Sequence, residues 1–483
     1  MIFSSTIFIL VFMPIVFFGY FWLNRKRLIG GAKLWLTLAS FVFYGYWSVY
    51  YIPLLLLSIV FNFVIGRATA QRKGLLTLGI VGNIALLGYF KYANFFVENL
   101  NVISSHQLTL PNIALPLGIS FYTFTQIAFL VDSYQDKAKE YDFINYALFV
   151  TFFPHLIAGP ILHHHEMMTQ FNSRWTWCVR YRYILMGLFI FSIGLFKKVM
   201  LADTFAIWAE TGFMPGTAHH FFSAWSTSLS YTFQLYFDFS GYCDMAIGAA
   251  LLFNIWLPLN FNSPYKALDI QDFWRRWHIT LGRYLRDYLY IPLGGNRKGK
   301  YRVYINLFVT FLIGGLWHGP SWMFVMWGAL HGCALIVHRL WKNLGGQLPS
   351  AAAWLITFLF VNITWVFFRA PSMDTAWHIL YGMVDFPSIW QLQAQHMATA
   401  NYAWGGSLID TFNRFLPASL SAYILSFGMA ALAFVVCAQR NAFELTTQGR
   451  IGWGKVAYMT LLFSVAMYAT NTSSSAVFLY YNF

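Results

Sequence analysis

Between Arg302 and Arg339 the chain carries no Asp, Glu, Lys or Arg. A run that long and apolar does not belong in a water-soluble domain, and it exceeds the about 20 residues of a single membrane crossing. Shorter runs of the same kind recur along the 483 residues, of which only 10% are charged and 58% hydrophobic. A soluble domain carries about 25% charged residues, so the polar groups needed to cover a water-exposed globule are missing. The same apolar content excludes a disordered chain. Each run is continuously apolar and longer than the alternating, roughly ten-residue strands of a membrane barrel. The predicted fold is therefore an all-α polytopic membrane bundle.

The net charge of +14 does not point to nucleic acid, because the basic residues sit in short blocks between apolar runs. Arg25, Lys26, Arg27 and Lys33 form one block, Arg67, Arg72 and Lys73 a second, and Arg297, Lys298, Lys300 and Arg302 a third. That is the pattern of cytoplasmic loops, and no basic soluble domain accompanies it. The first apolar run reaches about Leu23 without a basic segment before it or a small-residue cleavage site after it, so it reads as a membrane helix and not a cleaved signal peptide. Its basic sequel places the N-terminus outside. Further spans fall near 34–66 (two short helices turning at Tyr51–Pro53), 74–92, 114–131, 143–162, 184–200, 221–237 and 241–258. Others fall near 303–317, 321–337, 352–368, 418–438 and 452–470, with 383–416 as the longest extramembrane loop. About ten to thirteen transmembrane or re-entrant helices result, with interfacial helices beside them.

Two histidines stand out. His318 lies near the middle of the charge-free run, in Gly314-Gly315-Leu316-Trp317-His318-Gly319-Pro320. Pro320 has no backbone donor and disfavours helix at the residue before it, which predicts two short segments meeting at the histidine. Basic residues at both ends predict a hairpin that enters and leaves on the cytoplasmic side. His318 would then be deep in the protein, with Gly314, Gly315 and Gly319 allowing close approach of a substrate. An ionisable residue in such a place is a functional candidate; the alternative is a buried histidine bonded to a carbonyl freed at the helix break.

His278 lies in Asp272–Tyr290, which predicts one amphipathic interfacial helix. Asp272, Arg275, Arg276, Arg283, Arg286 and Asp287 share about 120° of arc at the helical period. Trp274, Trp277, Leu281, Leu285 and Tyr288 lie opposite, and His278 lies with them, either as a functional group or as a packed, satisfied one. Weaker features remain. The run His163, His164, His165 reads as a solvated interfacial patch and not as a metal site, because adjacent helical residues point in different directions. Asp238 and Asp244 line a cavity or carry protons, or else cap a break around Ser240–Gly241. Pro154-His155-Leu156-Ile157-Ala158-Gly159-Pro160 is a broken-helix signal. The scattered Cys178, Cys243, Cys333 and Cys437 give neither a metal site nor a disulfide framework.

Several of these segments coincide with known motifs. The opening FSSTIFILVFMPIVF, PHLIAGPI, YFDFSGYCDMAIG, the long block LPLNFNSPYKALDIQDFWRRWHITLGRYLRDYLYIPLGGNRKG and GGLWHGPSWMFVMWGALHG resemble the membrane-bound O-acyltransferase family. The likeness is nearest to its bacterial, alginate O-acetyltransferase-like branch. It covers about residues 1–370 and weakens afterwards, with Cys243 standing where serine is more usual. The resemblance implies one integral membrane domain over 1–483, with a catalytic core at about 114–370 and C-terminal helices at about 371–483. It implies a bundle with a water-accessible cavity on each side, thinned at the histidine. His318 corresponds to the family's catalytic histidine and His278 to its second active-site histidine.

The implied activity is transfer of acetyl from cytoplasmic acetyl-CoA, a donor substrate and no resident cofactor, across the bacterial inner membrane. The acceptor would be a hydroxyl on a periplasmic polysaccharide (alginate, peptidoglycan or another exopolysaccharide) or on an SGNH-type periplasmic acetyltransferase partner. A D-alanyl-transferring relative uses a carrier protein in place of CoA. On elementary chemistry, an alcohol attacks a thioester only if a base takes its proton, and neutral imidazole with a pKa near 6.5 suits that task. His318 is the candidate base or a transient acyl carrier, and His278 positions the donor or stabilises the oxyanion. Trp317, Trp274 and Asp238 are candidate substrate contacts. Arg297 and Lys298 either meet the CoA phosphates or are topological charge. Two other readings stay open: a transporter relaying protons through His318 and Asp238 without covalent chemistry, and a structural subunit of an export machine.

Overall fold

The computed structural model describes residues 1–69, 71–104, 108–110, 113–390, 418–448, 451–472 and 478–479. Among them every regular element is helical. The α-helices are α1 Met13–Arg25, α2 Ile29–Gly45, α3 Ile52–Ala68, α4 Lys73–Leu87, α5 Ala93–Ile103, α6 Ile119–Tyr134 and α7 Phe143–Thr151. They continue with α8 Phe153–Leu156, α9 His164–Phe171, α10 Tyr181–Phe196, α11 Asp203–Gly212, α12 Phe221–Leu252, α13 Ile270–Arg276 and α14 Ile279–Leu285. The last seven are α15 Lys300–His318, α16 Trp322–Asn343, α17 Ser350–Arg369, α18 Met373–Gly382, α19 Ala418–Ala438, α20 Ala442–Thr447 and α21 Trp453–Thr472. Single π-turns at Phe8–Phe12, Gly88–Tyr92, Lys197–Ala202 and Arg286–Tyr290 join or extend several of them.

Among the described residues six helical stretches are long and apolar enough to cross a membrane: Phe8–Arg25, Val49–Ala68, Lys73–Ile103, Tyr181–Gly212, Trp322–Asn343 and Ser350–Arg369. The outer faces of the first helices expose Phe18, Trp22, Leu38, Val42, Leu57 and Val60. Side chains of that kind on several neighbouring helices need lipid and not water against them. The turn predicted near Tyr51–Pro53 is there, between α2 and α3. The predicted loop 383–416 is described only to Trp390, where Phe386–Trp390 forms a short 3-10 turn; its remainder lies outside the described residues.

At the centre stands α12, and here the expectation of two spans at 221–237 and 241–258 fails. Phe221–Leu252 is one helix, about 48 Å long by its rise per residue. Gly241 does not interrupt it because the glycine is a packing surface. A Cβ on Gly241 would lie 2.8 Å from the Gly194 carbonyl oxygen, and one on Gly194 would lie 2.6 Å from that of Gly241. Gly187 and Gly248 repeat the relationship at 2.6 Å each way. Two glycine pairs thus bring α10 and α12 together backbone to backbone, the device that membrane helices use where apolar burial cannot drive association.

Asp238 and Asp244 are on this buried helix, which has no break at Ser240–Gly241 for them to cap. Asp244 meets Lys197 at 2.7 Å and Asp238 meets Lys198 at 2.7 Å, both lysines coming from the π-turn after α10. Charges removed from water require such partners.

The charge-free run folds as the predicted hairpin, α15 and α16 joined through Gly319–Ser321. Its arms are not short. α15 alone rises about 27 Å from Lys300 to His318. The arms pack tightly because they carry glycine on the facing sides: a Cβ on Gly315 would overlap the Phe324 carbonyl, and one on Gly328 that of Phe311.

Candidate active site

His318 is the last residue of α15 and is 3% exposed. The helix stops there because Gly319 turns extended, at φ −172° and ψ 159°, ahead of Pro320. The imidazole is boxed by aromatic rings, with centroids 5.0 Å away at Trp317, 5.1 Å at Trp327 and 5.1 Å at Phe368. Trp327 belongs to α16 and Phe368 to α17, so three helices fix the ring. All three contacts are edge-to-face, the favoured aromatic geometry.

The amphipathic helix predicted over Asp272–Tyr290 is broken. α13 ends at Arg276, Trp277 is extended, and His278 takes φ 43° and ψ 53° before α14 begins at Ile279. Left-handed backbone at a non-glycine residue costs about 1–3 kcal/mol. No Gly or Pro between Asp272 and Leu281 announces it.

Asn260 supplies the compensation. Its backbone carbonyl accepts the Ile279 N–H at 3.0 Å. Its Oδ1 accepts the Thr280 N–H at 3.2 Å, the Thr280 hydroxyl at 3.0 Å and His278 Nδ1 at 3.1 Å. A backbone N–H only donates, so the accepting atom is the carboxamide oxygen. That oxygen has no hydrogen, so Nδ1 of His278 carries the proton, and the neutral ring presents Nε2 as a lone-pair acceptor. Nε2 is buried and has no hydrogen-bond partner among the described residues.

Trp317 lies against both histidines, 6.4 Å from the His278 ring and 5.0 Å from the His318 ring. Its indole N–H is buried with no hydrogen-bond partner among the described residues. Behind it Phe124 stacks at 5.0 Å and 21°, and Tyr284 stacks on Phe124 at 4.2 Å and 11°. Trp274 is one ring further out. It donates to His331 Nδ1 at 3.2 Å and packs 5.7 Å from Trp327.

The structure therefore brings together His318, His278 and Trp317, with Trp274 beside them. Asp238 is committed to other partners: it pairs with Lys198 and accepts the Leu479 N–H at 2.9 Å, while its neighbour Phe239 packs 4.8 Å from the His278 ring. Arg297 and Lys298 are exposed in the loop before α15, at the opposite end of that helix from His318.

The three consecutive histidines diverge, and only His165 is exposed. His163 Nδ1 lies 3.2 Å from Asp132 and 2.9 Å from the Tyr288 hydroxyl, which donates to Asp132 at 2.9 Å. Burial pushes the Tyr288 phenol up, and the Asp132 carboxylate pushes it further. His164 is 5% exposed and lies 3.3 Å from Glu140. Burial draws the Glu140 carboxyl upward, but His164, the Asp142 N–H and Asn145 together hold it below its ordinary range. The predicted solvated patch is thus mostly a set of inward pairs, because His163, just before α9, and His164, its first residue, turn toward carboxylates on the neighbouring helix and loop.

Sequence reading passes over two residues that touch the site. Asn260, within LPLNFNSPY, carries no periodic signal; only the unexpected break at His278 requires it. Lys91 does carry a signal, as a lone cation in the apolar run Leu86–Phe96.

The sequence profile of MBOAT, the membrane-bound O-acyltransferase family, matches residues 17–373. The peptidoglycan O-acetyltransferase of Helicobacter pylori is 46% identical, over 100% of this chain and 98% of its own length. The probable alginate O-acetylase AlgI of Pseudomonas aeruginosa is 43% identical, over 85% of this chain and 79% of its own. More distantly, the teichoic acid D-alanyltransferase of Bacillus subtilis is 26% identical, over 51% of this chain and 66% of its own.

Proposed function

The chain belongs to the membrane-bound O-acyltransferase family, and from that premise we propose that it is an inner-membrane O-acetyltransferase drawing on cytoplasmic acetyl-CoA. The acceptor is a hydroxyl on a periplasmic polysaccharide, or on an SGNH-type periplasmic partner that passes the acetyl onward. Support for acetyl over other acyl groups comes from the relatives named for O-acetylation, at 46% and 43% identity, against 26% for the D-alanyl-transferring one. Support for the sidedness comes from charge and length. The basic blocks favour a cytoplasmic start for α15, and with His318 about 27 Å further along the helix axis that orientation would turn it toward a periplasmic acceptor.

The observation that carries the chemistry is a pair of buried imidazoles that both lie against Trp317. His318 takes the acceptor's hydroxyl proton as the oxygen attacks the thioester carbonyl; a base of this kind contributes about 10²–10⁴-fold. A carbon–oxygen bond forms, the carbon–sulfur bond breaks, and the proton on His318 passes to the departing thiolate. The products are an acetyl ester and free thiol.

His278 positions the donor, because its Nε2 accepts a hydrogen bond such as an amide N–H of the CoA arm offers. A neutral ring held in this tautomer has no proton there for an oxyanion. The Trp317 indole N–H, which only donates, is the group available for that charge. Arg297 and Lys298 act as topological charge, given their distance from His318.

Incubating the purified protein with acetyl-CoA and a glycan acceptor tests this reading: free thiol and acetylated glycan are expected together. Movement of label across a vesicle membrane with the thioester intact would favour transport instead.

A further inference from the structure

A helix that ends inside a membrane protein leaves its last carbonyls without intrahelical partners, and in lipid each such group is costly. α15 ends in this way at His318. Two of its terminal carbonyls are nevertheless satisfied, and by the same neighbouring segment. Lys91 Nζ donates to the Trp317 carbonyl at 2.6 Å, and the Tyr92 hydroxyl donates to the Leu316 carbonyl at 2.7 Å. Lys91 Nζ also reaches the Ser120 hydroxyl at 3.1 Å and lies 5.6 Å above the Trp317 ring. Ser120 in turn is on α6, whose Phe121 and Phe124 pack against that same indole.

Lys91 is 6% exposed and makes no salt bridge among the described residues. A buried lysine without a carboxylate is expensive to keep, so a second reason for it is needed. A cation-bearing side chain at a helix C-terminus meets both the free carbonyls and the negative end of the helix dipole. The backbone is arranged to deliver it there: Gly88–Tyr92 is a π-turn within the continuous helical stretch Lys73–Ile103. One extra residue in that turn changes which side chains face inward, and π-turns of this kind recur at functional sites.

We propose that Lys91, assisted by Tyr92, is a positioning residue that clamps the Trp317–His318 end of α15 and so sets the place of the base and the indole N–H. This rests on the proposed acetyl-transfer reading. A clamp on the backbone acts on geometry, and a misplacement of about 1 Å costs about 10²-fold in rate. It leaves donor affinity alone, because Lys91 is directed to the helix end.

The test uses the full chain in detergent or nanodiscs, with thiol release from acetyl-CoA as readout and size-exclusion behaviour as the folding control. Lys91→Met is expected to lower kcat about 10- to 100-fold with KM for acetyl-CoA within about twofold. Lys91→Arg, which keeps a donor at the carbonyl, is expected to recover part of the loss. Tyr92→Phe, which removes a single hydroxyl, is expected to cost kcat less, and it carries the test if Lys91→Met does not fold. Hydrogen exchange over residues 311–321 gives a readout independent of turnover, and faster exchange is expected in both variants.

Normal kcat in folded Lys91→Met, or in Tyr92→Phe where the former fails to fold, overturns the inference. So does a rise in KM at unchanged kcat, or unchanged exchange over 311–321. Failure of the acetyl-transfer reading shows differently, as a wild-type protein whose thiol release equals that of His318→Ala; the exchange measurement still decides the clamp in that case.

Discussion

His278 Nδ1 donates to Asn260 Oδ1 at 3.1 Å, and that one oxygen also holds the Thr280 N–H and hydroxyl. A left-handed histidine, its tautomer and the start of α14 therefore depend on a single carboxamide. Asn260→Ala should leave these donors unpaired, at about 1–3 kcal/mol for each buried group, and lower kcat for thiol release about 10²-fold by releasing the ring. Asn260→Asp keeps an acceptor and should retain more activity. Kinetics and thermal unfolding of both variants check this; full kcat in Asn260→Ala would mean that the His278 tautomer is irrelevant to turnover.

Trp317→Phe keeps an aromatic ring on Phe124 and removes only the indole donor and its second ring. Loss of one oxyanion donor typically costs about 10²–10³ in kcat, so a drop of that size is expected, with KM for acetyl-CoA little changed. A variant with wild-type kcat would assign the oxyanion to another group.

The hairpin that carries His318 depends on glycine contacts. Gly315→Ala places a Cβ against the Phe324 carbonyl, and Gly328→Ala places one against that of Phe311. Neither backbone can yield easily, so each should destabilise by about 1–3 kcal/mol and lower the thermal midpoint in detergent. Gly30→Ala is the control: a Cβ there meets nothing within 4 Å, and alanine is the better helix former by about 1 kcal/mol. Equal midpoints for all three would contradict close backbone packing in the hairpin.

Glu140 links the fold to pH. Its carboxyl is held below the ordinary range, chiefly by His164 against the opposing effect of burial. A carboxylate shifted in this direction contributes stability above its unfolded pKa and loses it as pH falls through the folded value. Glu140→Gln should therefore lower the thermal midpoint at pH 7, and the gap to wild type should close on acidification through the carboxylate range. A gap that is constant with pH would show that the His164 pair contributes nothing.

Much of this architecture is legible in the residues. Pro320 marks the hairpin turn, the lack of charge from Arg302 to Arg339 gives its arms, and the basic blocks mark their common end. The positions that mislead are those where tertiary contact overrides local chemistry. Gly241 reads as a helix break and is instead the contact that lets α12 lie against α10. His278 reads as mid-helix because its break comes from Asn260, a residue distant in sequence with no periodic signature. His163 and His164 look solvated until the entry into α9 turns them toward Asp132 and Glu140. Lys91 lies in plain view as a cation among aromatics, but its target, the end of α15, is not encoded near it.

The central claim is that the imidazole of His318 removes the acceptor's proton during attack on the thioester. Its most direct test is the rate of thiol release from acetyl-CoA by the purified chain with acceptor present, compared with His318→Ala at equal folded concentration. A loss of about 10²–10⁴-fold in the variant is expected, with the protein still folded by size exclusion. Thiol release at the wild-type rate from His318→Ala would contradict the account.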